Sequence, residues 1–574
     1  MKSYSTRACL PKDAEKELEA FPELTRHLLF HRGIQNGEDA KTFLNPDYIS
    51  HVHDPFLLSG MEKAVQRILK AIEKKEKICI YSDYDMDGIP GAIVLSDFFK
   101  RIGYKENIRV YIPHRHDEGF GLNHDAIEDI AKEGAKLLIT IDCGIADPKE
   151  VAHANSLGLD VIVTDHHLPG KILPEAFAII NPKCSPEYPF QDLCGSGVVF
   201  KLVQALLLKN DFGLKEGTEK WLLDMVGMAT CSDMVPLVGE NRVFAQYGLK
   251  VLRKSPRVGL VKFFAKNRVN QRDLTEDDIG FTIAPRINAA SRMGDPMQAF
   301  RLLSTDDEAE ADELSDYLNQ VNDERKGVVA SMVKEMKRKI SERFAKKEMP
   351  KVLVMGNPLW RPSLLGLAAN TLMEAHSRPV FLWGRDGGDG EGALKGSCRS
   401  DGSVSLVGLM QATRPGVFAE FGGHHMAGGF TVISDKVHFL EEELEHAYEK
   451  AREAYEKPDA LVADKKLLLE DVNWQTYGEI EKLAPFGVGN AKPVFLFDKV
   501  AIEEVKQFGK EKNHLELIFR KADGRKVSAI SFFSSLKDFE VPIEKGSSVN
   551  LVASMEKSTF RNFPELRLRI IDIV

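Results

Sequence analysis

The chain has 574 residues, enough for three or four domains at roughly 100–200 residues each. Hydrophobic residues make up 43% and charged residues 28%, with 44 Gly and 26 Pro, which excludes a disordered or collagen-like chain. The net charge of −9 excludes a surface coated in cations for indiscriminate nucleic-acid binding, but not nucleic acid itself, because a site that binds divalent metals contains several carboxylates of its own.

Residues 1–70 read as an N-terminal lead-in. From 71 to 296 short apolar runs alternate with helical stretches: KICIYSD (77–83), IRVYIP (108–113), KLLITID (136–142) and LDVIVTD (159–165). Such repeated strand–turn–helix units imply a parallel sheet in an α/β domain, whose ligands collect at the carboxyl ends of the strands. Three of these four runs end on aspartate. Residues 297–349 contain a single glycine, Gly327, and apolar residues at helical spacing among charges, so one or two long helices should connect two lobes. A second α/β lobe is expected over 350–458, beginning at KVLVMG. The segment 459–574 changes to alternating strands such as HLELIF (514–519) and ELRLRIIDIV (565–574), the pattern of a small β-barrel.

No apolar run reaches the roughly 18–20 residues of a membrane span. Val198–Leu208 comes nearest and is broken by Lys201 and Gln204. The first residues lack a continuous apolar h-region, so a cytoplasmic protein is expected. Seven cysteines without a CxxC pair read as reduced thiols.

The chemistry-bearing residues cluster at the strand ends. Asp83, Asp85 and Asp87, followed by Gly88, bring three carboxylates together, which like-charge repulsion opposes unless a cation neutralises them. A solvated turn or a calcium loop of the D-x-D-x-D-G type are alternatives; the latter lacks its carboxylate at the twelfth position, which is Val94. Asp142 ends the next acidic run with Cys143 and Gly144 behind it. The following one closes on Asp165-His166-His167, and Asp233 lies in a further segment, CSDMVP. Oxygen and imidazole donors without thiolates suit Mn²⁺ or Mg²⁺, and this many can hold two ions as needed for in-line attack on phosphorus.

DYDMDG, ITIDCG, TDHH and SDMVPL, in that order, resemble the four motifs of the DHH phosphoesterase superfamily. The resemblance is closest to its RecJ family of single-strand-specific exonucleases. It extends through LLFHRGIQNGEDAKTFLNP (28–46), YIPHRHDEGFGLN (111–123), APRINAASRMGDP (284–296), KGSCRS (395–400), FGGHHMAGGF (421–430) and LAPFGVGNAKPVF (483–495). Ser291 replaces a usual glycine, and Ser363-Leu364 replaces a usual Gly-Val; both bear on substrate geometry. The resemblance implies a DHH catalytic domain, a DHHA1 substrate-binding domain and a C-terminal OB-fold.

It also implies roles. Asp83, Asp85, Asp87, Asp142, His166 and Asp233 would be metal ligands, with Asp142 bridging. Asp165 would orient an imidazole, and His167 would touch the scissile phosphate. Arg115, Arg286, Ser397, Arg399 and His424 would bind substrate, including a terminal 5′-phosphate, although Arg286 and Arg292 read equally as structural ion-pair partners. Phe508, Phe532, Phe533 and Phe560, with Lys510, Lys512, Lys557 and Arg561 nearby, are candidate base-stacking and groove residues of the barrel, Phe532 being expected in its core. The basic run Lys334–Lys347 reads first as a solvated helix face. The implied activity is 5′→3′ hydrolysis of single-stranded DNA to 5′-mononucleotides in repair and recombination, by a monomer, with a RecQ-type helicase and a single-strand-binding protein as partners. A phosphodiesterase for short oligoribonucleotides or cyclic dinucleotides is the alternative; such enzymes generally need no terminal barrel. A non-catalytic DNA-binding scaffold would have lost metal residues.

Overall fold

The computed structural model describes residues 4–385, 393–453, 462–509, 512–539, 541–558 and 563–574. The chain divides into two compact units. One comprises Pro55–Asp233 and Lys250–Pro458; the other comprises Met1–Asp54, Met234–Leu249 and Asp459–Val574.

The larger unit begins with a five-stranded, wholly parallel sheet: β1 (Lys77–Ser82), β2 (Ile108–Tyr111), β3 (Ala135–Ile141), β4 (Asp160–Thr164) and β5 (Ala178–Ile180), in the order β2-β1-β3-β4-β5. Helices cover both faces, so β1 and β3 are buried after their first two residues, as continuous apolar runs in parallel sheets require. Tyr81, Ile127, Leu138, Val151 and Val163 pack one face. Against the other lie the helices Gly88–Arg101 and Gly195–Lys209, which approach closely: a Cβ on Gly91 would sit 2.7 Å from Ile141 Cγ2 and 3.1 Å from Ser196 Oγ. The pattern did not reveal β5, because its three residues are too few to show a period.

The expected connecting helices are Met297–Ser304 and a 36-residue helix, Glu308–Arg343, which passes through Gly327 without a break. Asp307 caps the long helix by accepting from Glu310 N at 2.7 Å. Met332, Met336 and Ile340 on it pack with Leu364, Leu365 and Leu372 of the helix Pro362–His376. Its basic stretch includes ion pairs of Lys339 with Glu335 and Arg338 with Glu342, as a solvated face should. The second lobe is a mixed sheet of β6 (Leu353–Gly356), β7 (Val380–Gly384), β8 (Ala393–Arg399), β9 (Glu420–Gly423) and β10 (Ala427–Ile433), in the order β6-β7-β8-β10-β9. Of its pairings among the described residues, only β6 with β7 is parallel.

In the smaller unit, β11 (Lys465–Lys466) flanks a closed barrel of β12 (Phe495–Phe508), β13 (His514–Arg520), β14 (Lys526–Phe532), β15 (Ser548–Ser558) and β16 (Glu565–Ile573). The strands run β12-β13-β14-β16-β15 and return to β12. Phe495, Phe497, Leu517, Phe519, Leu551 and Leu568 fill it. Arg242 is buried in this unit, stacking on Phe43 at 3.7 Å and donating to Phe43 O and Ala484 O at 2.6 and 3.0 Å. One guanidinium thus links three chain segments.

Phe532 departs from the core expectation. It is only half-buried, in a surface cluster with Phe508, His514 and Phe533, and Arg569 stacks on its ring at 4.2 Å. It is the last residue of β14, where a side chain no longer has a strand on each side. Phe560, Lys510 and Arg561 lie outside the described residues, whereas Lys512 and Lys557 are exposed.

All seven cysteines are free, and no described helix is long and apolar enough to cross a membrane. The core between the long helix and the second lobe gives a direct test. Leu365→Ala should cost about 2–5 kcal/mol and lower the melting temperature of the larger unit. Leu359→Ala, at a residue 87% exposed, should leave it within about 0.5 kcal/mol of the parent. Calorimetric melting of both variants checks this.

Candidate metal centre

The acids are aligned by the parallel ladder, which runs one residue beyond each strand. Asp83 N donates to Ile141 O at 3.0 Å, Asp142 N to Thr164 O at 3.0 Å, and Asp165 N to Ile180 O at 3.1 Å. Three acids therefore stand in a row on the carboxyl edge. Asp142 turns out of the strand with a left-handed φ of 60°, a costly backbone state for a residue with a side chain. Asp85 accepts from the backbone of Asp87 at 2.8 Å, tightening the turn into Gly88–Arg101. Gly88 is obligatory there, because a Cβ would lie 2.3 Å from Asp83 O.

Asp87 reaches the N-terminus of the helix Gly195–Lys209, accepting from Gly195 N at 2.6 Å and Ser196 N at 2.8 Å, while Ser196 Oγ donates to Asp87 O at 2.5 Å. Gly195 also admits Asp142, since its Cβ would sit 2.7 Å from Asp142 Oδ1. The Cys194-Gly195-Ser196-Gly197 element was not among the residues expected from sequence. Its signal is a pair of small residues opening an apolar helix, a pattern suited to anion binding.

His166 Nε2 stands 3.2 Å from Asp142 Oδ1, 3.6 Å from Asp233 Oδ2 and 3.7 Å from Asp87 Oδ2. Its backbone carbonyl accepts from Lys183 Nζ. Burial and the neighbouring His167 push its pKa down to about 3, so it presents a neutral imidazole lone pair among carboxylates. Asp165 accepts from the backbone N–H groups of Ile145, His166 and His167 and from His167 Nδ1, the last at 2.8 Å. Burial opposes its ionisation, but those bonds and the His167 charge outweigh it and hold its pKa below the ordinary value.

Three sets of donor atoms converge: Asp83, Asp85 and Asp142; Asp87, His166 and Asp233; and Asp142, His166 and His167. Asp142 belongs to two of them, on the strand that lies between β1 and β4. Asp83 Oδ1, Asp142 Oδ1 and Asp233 Oδ2 are buried with no hydrogen-bond partner. Burial and mutual repulsion raise the pKa of Asp83, Asp142 and Asp233 well above 3.8 and that of Asp87 to about 6. Orphaned buried carboxylate oxygens beside a neutral imidazole are the donor set of hard divalent cations, and the residues fit two ions of the Mn²⁺ or Mg²⁺ type.

Cations gather nearby without carboxylate partners among the described residues. The Arg115 guanidinium lies 4.9 Å over the Tyr84 ring, and His116 Nε2 donates to Arg292 O at 3.0 Å. Arg292, absent from the substrate-binding set expected from sequence, donates to Ser363 O at 2.6 Å, and Ser363 Oγ returns a bond to Arg292 O at 3.2 Å. The unusual Ser363 thus ties the first domain to the second lobe, and Leu364 is core. Enclosure, together with Arg115 and Arg325, lowers the Arg292 pKa to about 10. Arg286 is held by Asn319 Oδ1 at 2.7 Å and Thr282 O at 2.6 Å rather than by an acid, which removes the ion-pair reading. Arg325 Nε, Asn288 Oδ1 and both polar atoms of Asn322 are buried and unpaired. On β8, Arg399 donates to Ser397 Oγ at 3.2 Å, both beside Gly366, whose Cβ would meet Arg399 Nη2 at 2.8 Å. His424 is exposed in the β9–β10 turn, where Gly423 has no room for a Cβ.

A parallel α/β domain with clustered carboxylates and imidazoles at its strand ends, followed by a mixed-sheet lobe and a closed barrel, defines a metal-dependent phosphoesterase of the DHH type. Residues 77–230 match the DHH family N-terminal domain, 349–457 the DHHA1 domain and 463–572 the RecJ OB domain. The chain is 33% identical to the single-stranded-DNA-specific exonuclease RecJ of Bacillus subtilis, over 98% of this chain and 69% of that protein. It is 30% identical to the Haemophilus influenzae RecJ over 94% of each. The crystal structure of RecJ in complex with Mn²⁺ from Thermus thermophilus superposes with a TM-score of 0.78 at 26% identity, covering 99% of this chain and 79% of that one. The chain belongs to the RecJ family of single-stranded-DNA-specific exonucleases.

Metal removal should expose the carboxylate strain. Folded Asp83, Asp142 and Asp233 keep their protons to higher pH than the unfolded chain does, so metal-free protein loses stability as pH rises through their elevated pKa values. His166 opposes this only below its ordinary value of 6.5. In EDTA-treated protein the melting temperature should therefore fall as the pH rises above about 6.5, where His166 no longer opposes the carboxylates, and added Mn²⁺ should raise it more at the higher pH. A flat or rising profile would contradict the assignment.

Proposed function

We propose that this chain is a 5′→3′ exonuclease on single-stranded DNA that releases 5′-mononucleotides by hydrolysis at a site of two divalent ions. The observation that carries this is the set of orphaned carboxylate oxygens around His166, with guanidinium groups beside it that no described acid pairs. Asp83, Asp85, Asp87, Asp142, His166 and Asp233 would hold the ions, with Asp142 shared. Bound divalent cations supply activation of water and neutralisation of charge on the phosphoryl oxygens.

The chain's own groups do the rest. Asp165 holds His167 Nδ1, which leaves Nε2 as the imidazole atom that meets a phosphate oxygen or delivers a proton to the departing 3′ oxygen. Arg115, Arg292 and Arg399 with Ser397 would receive the terminal 5′-phosphate. Guanidinium binds phosphate bidentately, and these groups have no carboxylate among the described residues to release first. Each cut leaves a new 5′-phosphate, so the same pocket serves every cycle and sets direction. Arg286 and Arg325 would continue the cationic track, and His424 would contact the strand at the edge of the second lobe.

In the barrel, the Phe508, His514, Phe532 and Phe533 cluster with Arg567 and Arg569 has the aromatic and cationic character of a single-strand platform. We assign catalysis to 71–296, connection to 297–349, substrate holding to 350–458 and strand capture to 459–574, with 1–70 as lead-in. The setting is cytoplasmic DNA repair and recombination by a monomer. A RecQ-type helicase and a single-strand-binding protein would supply single strands.

The test is a long single-stranded DNA with a 5′-phosphate and a 3′ label, incubated with Mn²⁺ beside a blunt duplex and a dinucleotide. Shortening from the 5′ end with the duplex spared is expected. An intact strand with a hydrolysed dinucleotide would move the chain to the small-substrate phosphodiesterases. Asp142→Ala should abolish cleavage while raising the melting temperature of the metal-free protein, because it removes one of the repelling charges. Asp165→Asn should reduce cleavage roughly 10–100-fold. Single-turnover rates and melting curves check both.

A further inference from the structure

We propose that Phe120 is the stacking surface for the base of the nucleotide being released. This rests on the exonuclease reading above and names how its terminal base is held. Phe120 is 53% exposed, yet its ring stands edge-to-face against His167, with centroids 5.6 Å apart and an interplanar angle of 73°. An exposed phenylalanine is ordinary by itself. One set against an imidazole of the metal cluster is at the place where substrate must lie.

The turn carrying it is built for that display. Gly119 and Gly121 flank the ring, both left-handed with φ of 84° and 86°. Gly121 has no room for a side chain, because its Cβ would meet the Asp147 carboxylate at 2.7 Å. Asp147 in turn accepts from Leu122 N at 2.9 Å, and the buried Tyr81 hydroxyl donates to Gly121 O at 3.0 Å. Two hydrogen bonds to the core of the first domain therefore fix the backbone behind an exposed aromatic ring.

Stacking fits the demand on the site. Hydrolysis repeated along a strand must accept every base, and every base has a π-face, so an aromatic platform holds the terminal nucleotide without reading its sequence. The ring edge against His167 links the two functions: a base seated on Phe120 places its phosphate on the side where the imidazole waits.

The experiment compares wild type with Phe120→Ala and Phe120→Trp on two single strands with Mn²⁺, one with an ordinary 5′-terminal nucleotide and one with a 5′-terminal abasic residue. Melting curves confirm folding. With the ordinary strand, Phe120→Ala should raise KM for removal of the first residue on the order of tenfold, and Phe120→Trp should restore it. With the abasic strand, wild type and Phe120→Ala should be equal. An equal loss on both strands would make Phe120 a prop for His167 and overturn the proposal, as would no loss on either. Failure of wild type to digest the ordinary strand would instead overturn the exonuclease reading.

Discussion

Repulsion among carboxylates packed around one imidazole is the constraint on which the catalytic domain is organised. Asp83, Asp87 and Asp142 are almost wholly buried, and Asp85 and Asp233 stand beside them. Burying an ionised carboxylate costs several kcal/mol, whereas a helix N-terminus returns about 0.3–1 kcal/mol, rarely as much as about 2. The helix start at Gly195 therefore steadies Asp87 but cannot balance the cluster. Only cations of higher charge density can, and the unpaired oxygens face the same small volume. The left-handed Asp142, the glycine at 195 and the ladder extended past three strand ends all serve to hold these acids where they repel.

The complementary feature is a group of cations kept apart from those acids. Arg115, Arg292, Arg325 and Arg286 follow one another near the junction of the catalytic domain and the second lobe; burial lowers the pKa of Arg292 and of Arg325, and the neighbouring arginines lower both further. Asn288 Oδ1 and both polar atoms of Asn322, unpaired, lie on the helices Ala284–Met293 and Glu308–Arg343, which carry Arg286, Arg292 and Arg325. A protein that wanted only stability would have paired these charges. A polyanion that brings its phosphates to the guanidiniums and the metal ions together satisfies both halves at once. The Arg292–Ser363 exchange ties the lobe to the domain at that position, so substrate geometry and interdomain geometry are coupled.

Much of this was legible in the chain. Parallel strands show as unbroken apolar runs because both faces are covered, and an acid at the end of each marks the edge where such sheets place their ligands. That logic reached Asp83, Asp142, Asp165 and the two histidines from the strand ends, Asp233 stood out as a further acid, and the resemblance supplied the roles and the substrate residues. Gly195 and Ser196 escaped because small residues carry no chemistry of their own; their role is to leave room and offer N–H groups. Arg292 stood in the same matched segment as Arg286, and no rule of sequence distinguishes which of two arginines is enclosed without an acid. Phe532 was expected in the core because some of the barrel's phenylalanines must fill it, and the sequence does not say which of them stands where the strand has lost a neighbour.

The sequence by itself therefore determined the classes of domain, their order and the ligand chemistry, since those depend on local periodicity and on which side chains are present. Tertiary structure alone decided which donor atoms converge on His166, which histidine Asp165 holds, and which arginine lies beside Arg115. Those are distances between residues tens to hundreds of positions apart. They are set by strand order and helix packing, which no local pattern encodes.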